Sequence, residues 1–117
     1  MKLKEKVSFL DNILKIGSLQ VIVENKIKEI IVNDDLIFVL CEYDKNGKEF
    51  VRNIMAYDFN GQLRWQEEDI GEPVREKWFF VGINLNSSGN PVGYNWVDRE
   101  FELDRLTGKI LNEERTM

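Results

Sequence analysis

A run of acidic side chains is the part of the sequence with the clearest chemical character. Four carboxylates fall within six residues, at Glu67, Glu68, Asp69 and Glu72, and Trp78 follows them. Carboxylates grouped in this way can dock a basic protein or loosely hold a cation, and Trp often dominates binding surfaces. The same residues also fit a solvated, charge-rich loop without ligand geometry. We take these five residues as a candidate interaction surface.

Two matching pentapeptides, "YDKNG" at Tyr43–Gly47 and "YDFNG" at Tyr57–Gly61, raise the question of a calcium loop. An EF-hand loop needs Gly at its sixth position and a bidentate Glu at its twelfth. Counted from Asp44 or Asp58, the Gly arrives at the fourth position, and neither twelfth residue is Glu. Asn-Gly adopts positive φ at low cost, so both pentapeptides are interpreted as hairpin turns.

The composition removes most catalytic chemistry. The chain has no His and a single Cys, Cys41, which excludes serine–histidine and cysteine–histidine catalysis, and zinc sites built from His or several Cys. Cys41 lies in the apolar stretch "LIFVLCEY" and is predicted to be buried. Paired carboxylates for hydrolysis are compatible with the composition, but they need a groove. We expect neither catalytic residues nor a cofactor nor a metal.

Charge is distributed unevenly along the chain. The net charge is −5, yet residues 1–32 carry six Lys against four acids, while residues 33–117 carry ten basic residues against seventeen acids. An acidic surface repels phosphate backbones, so we expect a protein partner that is basic and no nucleic acid. No apolar run reaches the roughly 18 residues of a membrane span, and the N-terminal segment lacks a cleavage site. These features predict a cytoplasmic protein with no membrane contact.

The pattern of apolar residues predicts an all-β fold. Short β-branched and aromatic runs such as "SLQVIVE", "IKEIIV" and "LIFVLCEY" recur between Gly-marked turns, which gives about eight to ten short strands. "LIFVLCEY" is apolar on both faces, as expected for a central strand. Only residues 5–16 have a spacing that allows one short N-terminal helix. Trp65, Trp78 and Trp96 are either core residues or an aromatic surface, and their strand patterns favour the core.

An internal repeat divides the chain, which we interpret as one domain over residues 1–117. Residues 28–66 and 78–113 each read as an apolar strand, two further strands, an Asp, a Gly turn and a last strand. Asp58 and Asp104 are equivalent points, and their separation suits the roughly 40–45 residues of a four-stranded propeller blade.

The blade endings "YDFNGQLRWQ" and "LDRLTGKIL" resemble the repeats of quinoprotein-type β-propellers over about residues 28–113, and Trp65 matches the docking Trp of those repeats. Asn112 stands at that position in the second copy. The resemblance implies blade-like architecture and no cofactor site. Because two blades are too few to close a propeller, we expect two antiparallel meanders packed as a sandwich or partial propeller, with residues 7–24 completing one sheet. Open strand edges would allow a homodimer.

These observations favour a non-enzymatic protein–protein interaction domain. At the level of class, it is similar to immunity proteins that neutralise bacterial toxins, or to accessory subunits. The alternative is a small-ligand-binding or enzymatic module with a pocket between the two meanders, rimmed by Trp78 and carboxylates. A third hypothesis is a homodimeric structural domain.

Overall fold

The computed structural model describes residues 6–23, 25–42, 53–66, 80–95 and 99–115, and eleven strands lie within these ranges. Strands that follow one another in sequence pair antiparallel within three sheets. The first sheet contains β1 (Val7–Leu10), β2 (Ile13–Ile16) and β3 (Leu19–Ile22). The second contains β4 (Ile27–Asn33), β5 (Leu36–Cys41), β6 (Ile54–Asp58) and β7 (Leu63–Gln66). The third contains β8 (Phe80–Leu85), β9 (Pro91–Asn95), β10 (Arg99–Leu103) and β11 (Ile110–Arg115).

The all-β prediction is confirmed, and the N-terminal helix prediction is wrong. Residues 7–16 form β1 and β2, which are joined by a two-residue turn at Asp11 and Asn12. Asp11 adopts a φ of 54° there, a conformation that Asp tolerates better than most residues. Leu10 and Ile13 face each other across this turn.

The second sheet is the middle layer of a three-layer stack. Leu36, Phe38 and Leu40 of β5 are buried against the third sheet, whereas Ile37, Val39 and Cys41 are buried against the first. The prediction that β5 is a central strand with two apolar faces, and that Cys41 is buried, is confirmed. Two separate cores result, one on each face of the middle sheet.

The prediction that residues 7–24 complete one of the two meanders is wrong. Residues 7–22 form a third, separate sheet. Leu14 and Ile16 of β2 pack onto a face of the second sheet, so these strands form a layer of their own and do not extend either meander. The two four-stranded meanders extend over residues 27–66 and 80–115. In the described ranges, we find no helix with the length and apolar character that a membrane span requires.

Buried hydrogen bonds tie the second sheet to the third. The side chain of Asn53, which is 0% exposed, donates to the carbonyl oxygens of Cys41 (2.9 Å) and Phe80 (2.8 Å) and accepts from Phe80 N (3.0 Å). At the surface, Lys28 Nζ of β4 also donates to the Val81 carbonyl oxygen. These bonds hold β8 against the second sheet.

The described Gly turns are built in the same way at Asp58, Asn86 and Asp104. The side-chain oxygen of each of these residues accepts a hydrogen bond from the amide two residues later, and a Gly with positive φ closes each turn. The hairpin prediction for Tyr57–Gly61 is therefore confirmed. The pentapeptide Tyr43–Gly47 lies outside the described residues.

Candidate functional site

The outer face of the third sheet carries the most distinctive polar cluster among the described residues. Phe101 and Leu103 of β10 point into the core, so Glu100 and Glu102 point outward on the same strand. Glu102 lies in register with Val92 on β9 and Asn112 on β11. We call this outer surface the acidic face.

An open pocket of about 180 Å³ lies on the acidic face. Its lining residues are Asn86, Val92, Glu100, Glu102 and Asn112. Four of the five are polar or charged, so the pocket suits a polar or charged group.

Two side-chain amides hold the Glu102 carboxylate. Asn86 Nδ2 and Asn90 Nδ2 each donate to Glu102 Oε2 at 2.8 Å. The two Asn residues are themselves fixed by two turns: in the β8–β9 turn Asn86 Oδ1 accepts from Asn90 N at 2.9 Å, and Asn90 Oδ1 accepts from Arg105 N of the β10–β11 turn at 3.1 Å. The carboxylate is therefore positioned before any ligand arrives.

These hydrogen bonds also fix the charge of Glu102. The donated bond from Asn90, followed by the bond from Asn86, lowers the pKa of Glu102 below its ordinary value of 4.5, against a smaller opposing effect of burial. A carboxyl group of this kind is ionised at neutral pH and is a poor proton donor there. It can attract a cationic group, such as a lysine or arginine side chain.

The described ranges contain no group of three or more His, Cys, Asp or Glu side chains arranged to hold a metal ion.

A second exposed surface lies at the opposite end of the stack. Leu10, Ile13 and Ile22 form one line across the outer face of the first sheet, and we call these three residues the apolar row. Leu10 is 60% exposed and Ile22 is 74% exposed. Lys15 lies in the neighbouring line, between Ser8 and Gln20. This face combines exposed apolar area with a positive charge.

The surface predicted from the sequence at Glu67, Glu68, Asp69, Glu72 and Trp78 lies outside the described residues, as does Trp96. The prediction that Trp65 belongs to the core is confirmed, and its Nε1 donates to the Arg105 carbonyl oxygen at 2.8 Å. The pocket predicted between the two meanders would lie where apolar side chains of the described residues, including Phe38 and Phe101, fill the space.

Sequence reasoning did not single out Glu100 and Glu102, although a signal was present. In "EFEL" at residues 100–103, acidic and apolar residues alternate, which places both carboxylates on one face of a strand. The amides of Asn86 and Asn90 come from a different hairpin, and their convergence on Glu102 depends on strand pairing.

Comparison with solved structures supports the fold. The chain is similar to the crystal structure of the computationally designed Ika8 protein, with a TM-score of 0.61 and 11% sequence identity. The match covers 92% of this chain and 35% of that chain, so this chain spans about a third of the length of that protein.

A search of curated proteins finds no match to this chain. A family model described as "Domain of unknown function (DUF7957)" matches residues 4–115, and the chain therefore belongs to the DUF7957 family.

Proposed function

We propose that this chain is a non-enzymatic protein-interaction domain that binds a positively charged segment of a partner protein at the acidic face. The observation that carries the proposal is the Glu102 carboxylate, which two amides hold in place at an open pocket beside Glu100. A charged group that is already oriented loses little entropy on binding, so its attraction for a cation is retained in the affinity.

The charge distribution supports a basic partner. Residues 33–117 carry a net charge of −7, and this part of the chain contains the acidic face. A negative surface accelerates the encounter with a positive partner, and the attraction between the two weakens as salt is added. A domain of this type would act as an immunity-type protein that neutralises a basic toxin, or as an accessory subunit.

The small-ligand alternative has less support. It requires a cavity between the second and third sheets, and the side chains described there pack against one another, with Phe80 and Phe101 in an edge-to-face contact at 5.5 Å. The pocket on the acidic face is open to solvent on one side of the stack, which suits a protruding side chain of a protein.

Binding of a basic peptide tests the proposal. We would measure, by isothermal titration calorimetry at low salt, the affinity for a lysine-rich synthetic peptide and for the same peptide with acetylated lysines. We expect binding of the unmodified peptide only, and a loss of affinity as salt is added. Equal affinity for the two peptides, or no binding of either, would contradict the proposal.

Two matched variants locate the binding site. Glu102→Gln keeps the size of the side chain and removes its charge, and we expect it to weaken peptide binding about fivefold or more, as for a charge-assisted contact. Asp35→Asn removes the same charge from an exposed turn outside the acidic face and should change affinity less than about twofold. Equal effects of the two substitutions would show that net charge alone attracts the peptide.

A further inference from the structure

The three sheets are stacked by one contact that occurs twice. Trp65 on β7 covers Gly108 so closely that a Cβ atom on Gly108 would clash with Trp65 Cε3. Leu19 and Val21 on β3 together cover Gly61, with Leu19 Cδ2 2.8 Å and Val21 Cγ2 2.9 Å from the position of a Cβ atom on Gly61. In both cases a side chain of the last strand of one sheet lies over the Gly turn before the last strand of the next sheet.

The spacing of the contact residues is also repeated. Val21 is the fourth residue after Gly17, Trp65 is the fourth after Gly61, and the fourth after Gly108 is Asn112. Gly17 lies in the turn before β3 and has a φ of 60°. Both Gly17 and Asn112 are exposed. Within the described part of the chain, Gly17 is thus a turn Gly that no strand side chain covers, and Asn112 is a side chain at the covering position with no Gly beneath it.

The surfaces around these two residues are complementary. The face beside Gly17 carries the apolar row and Lys15, while the face around Asn112 carries Glu100 and Glu102. Val92 and the half-exposed ring of Tyr94 add apolar area to the acidic face. Both faces carry apolar groups, and the charge of one face is opposite to that of the other, as a specific contact requires.

We propose that the acidic face binds the outer face of the first sheet of a second copy of this chain, head to tail, with Asn112 of one copy against Gly17 of the other. This inference rests on the proposed function, since it names a partner for the acidic face, and the positive group is then Lys15. The proposed contact between copies repeats the sheet-to-sheet contact that occurs twice within one chain.

The size of the contact determines its strength. A face of three strands with four residues each measures roughly 14 Å by 13 Å, from the spacing of strands and residues. The area of such a face is well below the roughly 800 Å² that each partner buries in a stable interface. Association is therefore weak, depends on protein concentration and decreases with added salt.

Two variants that each disable one face test the head-to-tail geometry. Ile22→Glu changes the most exposed residue of the apolar row, and Glu100→Lys reverses a charge of the acidic face. We expect wild-type chains to associate in analytical ultracentrifugation as concentration rises from micromolar to millimolar, and each variant alone to stay monomeric. Mixing the two variants should restore one intact contact and give a complex of one copy of each that does not grow further.

The control is Leu106→Glu, which places an acid on an exposed turn residue and should associate as the wild type does. Circular dichroism spectra that match the wild type establish that both face variants are folded. Three results would overturn the inference. The first is a wild-type chain that stays monomeric at millimolar concentration, and the second is a mixture of the two variants that stays monomeric. The third is a variant that still associates alone, which would indicate association through strand edges.

Peptide binding at dilute protein distinguishes this inference from the proposed function. A wild-type chain that binds the lysine-rich peptide but never self-associates overturns the inference and leaves the proposed function intact. A chain that self-associates with the variant pattern above but binds no peptide supports the second-copy contact and overturns the general affinity for basic partners.

Discussion

Asn53 is the residue whose side chain satisfies the largest number of buried backbone groups among the described contacts. Asn53→Ala leaves the carbonyl oxygens of Cys41 and Phe80 and the amide of Phe80 without this partner in a buried position. The three buried hydrogen bonds contribute about 1 kcal/mol each, so we expect the free energy of unfolding to fall by about 3 kcal/mol. Urea unfolding followed by Trp fluorescence measures the change.

The control for Asn53 is Asn84→Ala on the exposed face of β8, which should change the free energy of unfolding by less than about 0.5 kcal/mol. A loss of similar size in the two variants would show that the buried hydrogen bonds of Asn53 do not tie the second sheet to the third.

Glu102 makes stability depend on pH in the acid range. Its pKa is lowered in the folded state by hydrogen bonds from Asn90 and Asn86, so these bonds contribute stability above the ordinary pKa of 4.5. That contribution is lost as pH falls below 4.5 and through the lowered pKa of the folded protein. We expect Glu102→Gln to lose less stability than the wild type across this acid range, measured by thermal unfolding in a pH series. Parallel curves for the two proteins would contradict this assignment.

Burial of single residues was predictable wherever the strand pattern was strong. Cys41 and Trp65 lie in alternating or apolar runs, and both are in the core as expected. The role of Asn53 was not predictable, because a polar residue in a strand pattern gives no sign of the partner that satisfies it. Phe80, its partner on β8, is 27 residues away in sequence.

At the scale of elements, the Gly turns hold the sheets at contact distance. Gly108 has a φ of 76°, and Trp65 occupies the space where a Cβ atom would lie. We expect Gly108→Ala to lower the free energy of unfolding by about 1 kcal/mol for the left-handed backbone and a further 1–3 kcal/mol for the clash with Trp65. Chemical unfolding measures the sum.

Gly89→Ala separates the two contributions. Gly89 has a φ of 84°, but the nearest atom to a Cβ there is Asn33 Nδ2 at 3.2 Å. This variant should lose only about the 1 kcal/mol of backbone strain. If Gly89→Ala and Gly108→Ala are equally destabilised, the indole of Trp65 moves freely and does not lock the second sheet to the third.

The N-terminal elements show why spacing alone misled the prediction. Residues three apart lie on one face of a helix, but they also face each other when they flank a two-residue turn, as Leu10 and Ile13 do. Asp11 and Asn12 between them are common in both helix caps and tight turns. The pairing of β1 with β2 and of β2 with β3 decides between the two structures, and it depends on packing against the second sheet.

At the scale of the whole molecule, the repeat predicted two layers and the structure has three. The two four-stranded meanders follow from the repeated turn around Asp58 and Asp104. The first sheet has only short strands, and its turn at Gly17 lacks the Asp that begins the turns at Asp58 and Asp104. The repeat was therefore not visible in the sequence of the first sheet. The acidic face could not be predicted as a site, because its residues converge from two hairpins of the third sheet.

The stacked layers predict a gradient of local stability. β5, β2 and β9 are each paired on both sides within their sheets, but only β5 has a core on both faces. Opening an outer sheet exposes one core, whereas opening the middle sheet exposes both. We therefore expect the amides of β5 to exchange with solvent deuterium more slowly than those of β2 and β9, after correction for intrinsic rates. Because in-sheet pairing is matched, β2 and β9 are the internal controls. Equal protection of the three strands would mean that the stack opens as one cooperative unit, and faster exchange in β5 would contradict its position as the middle layer.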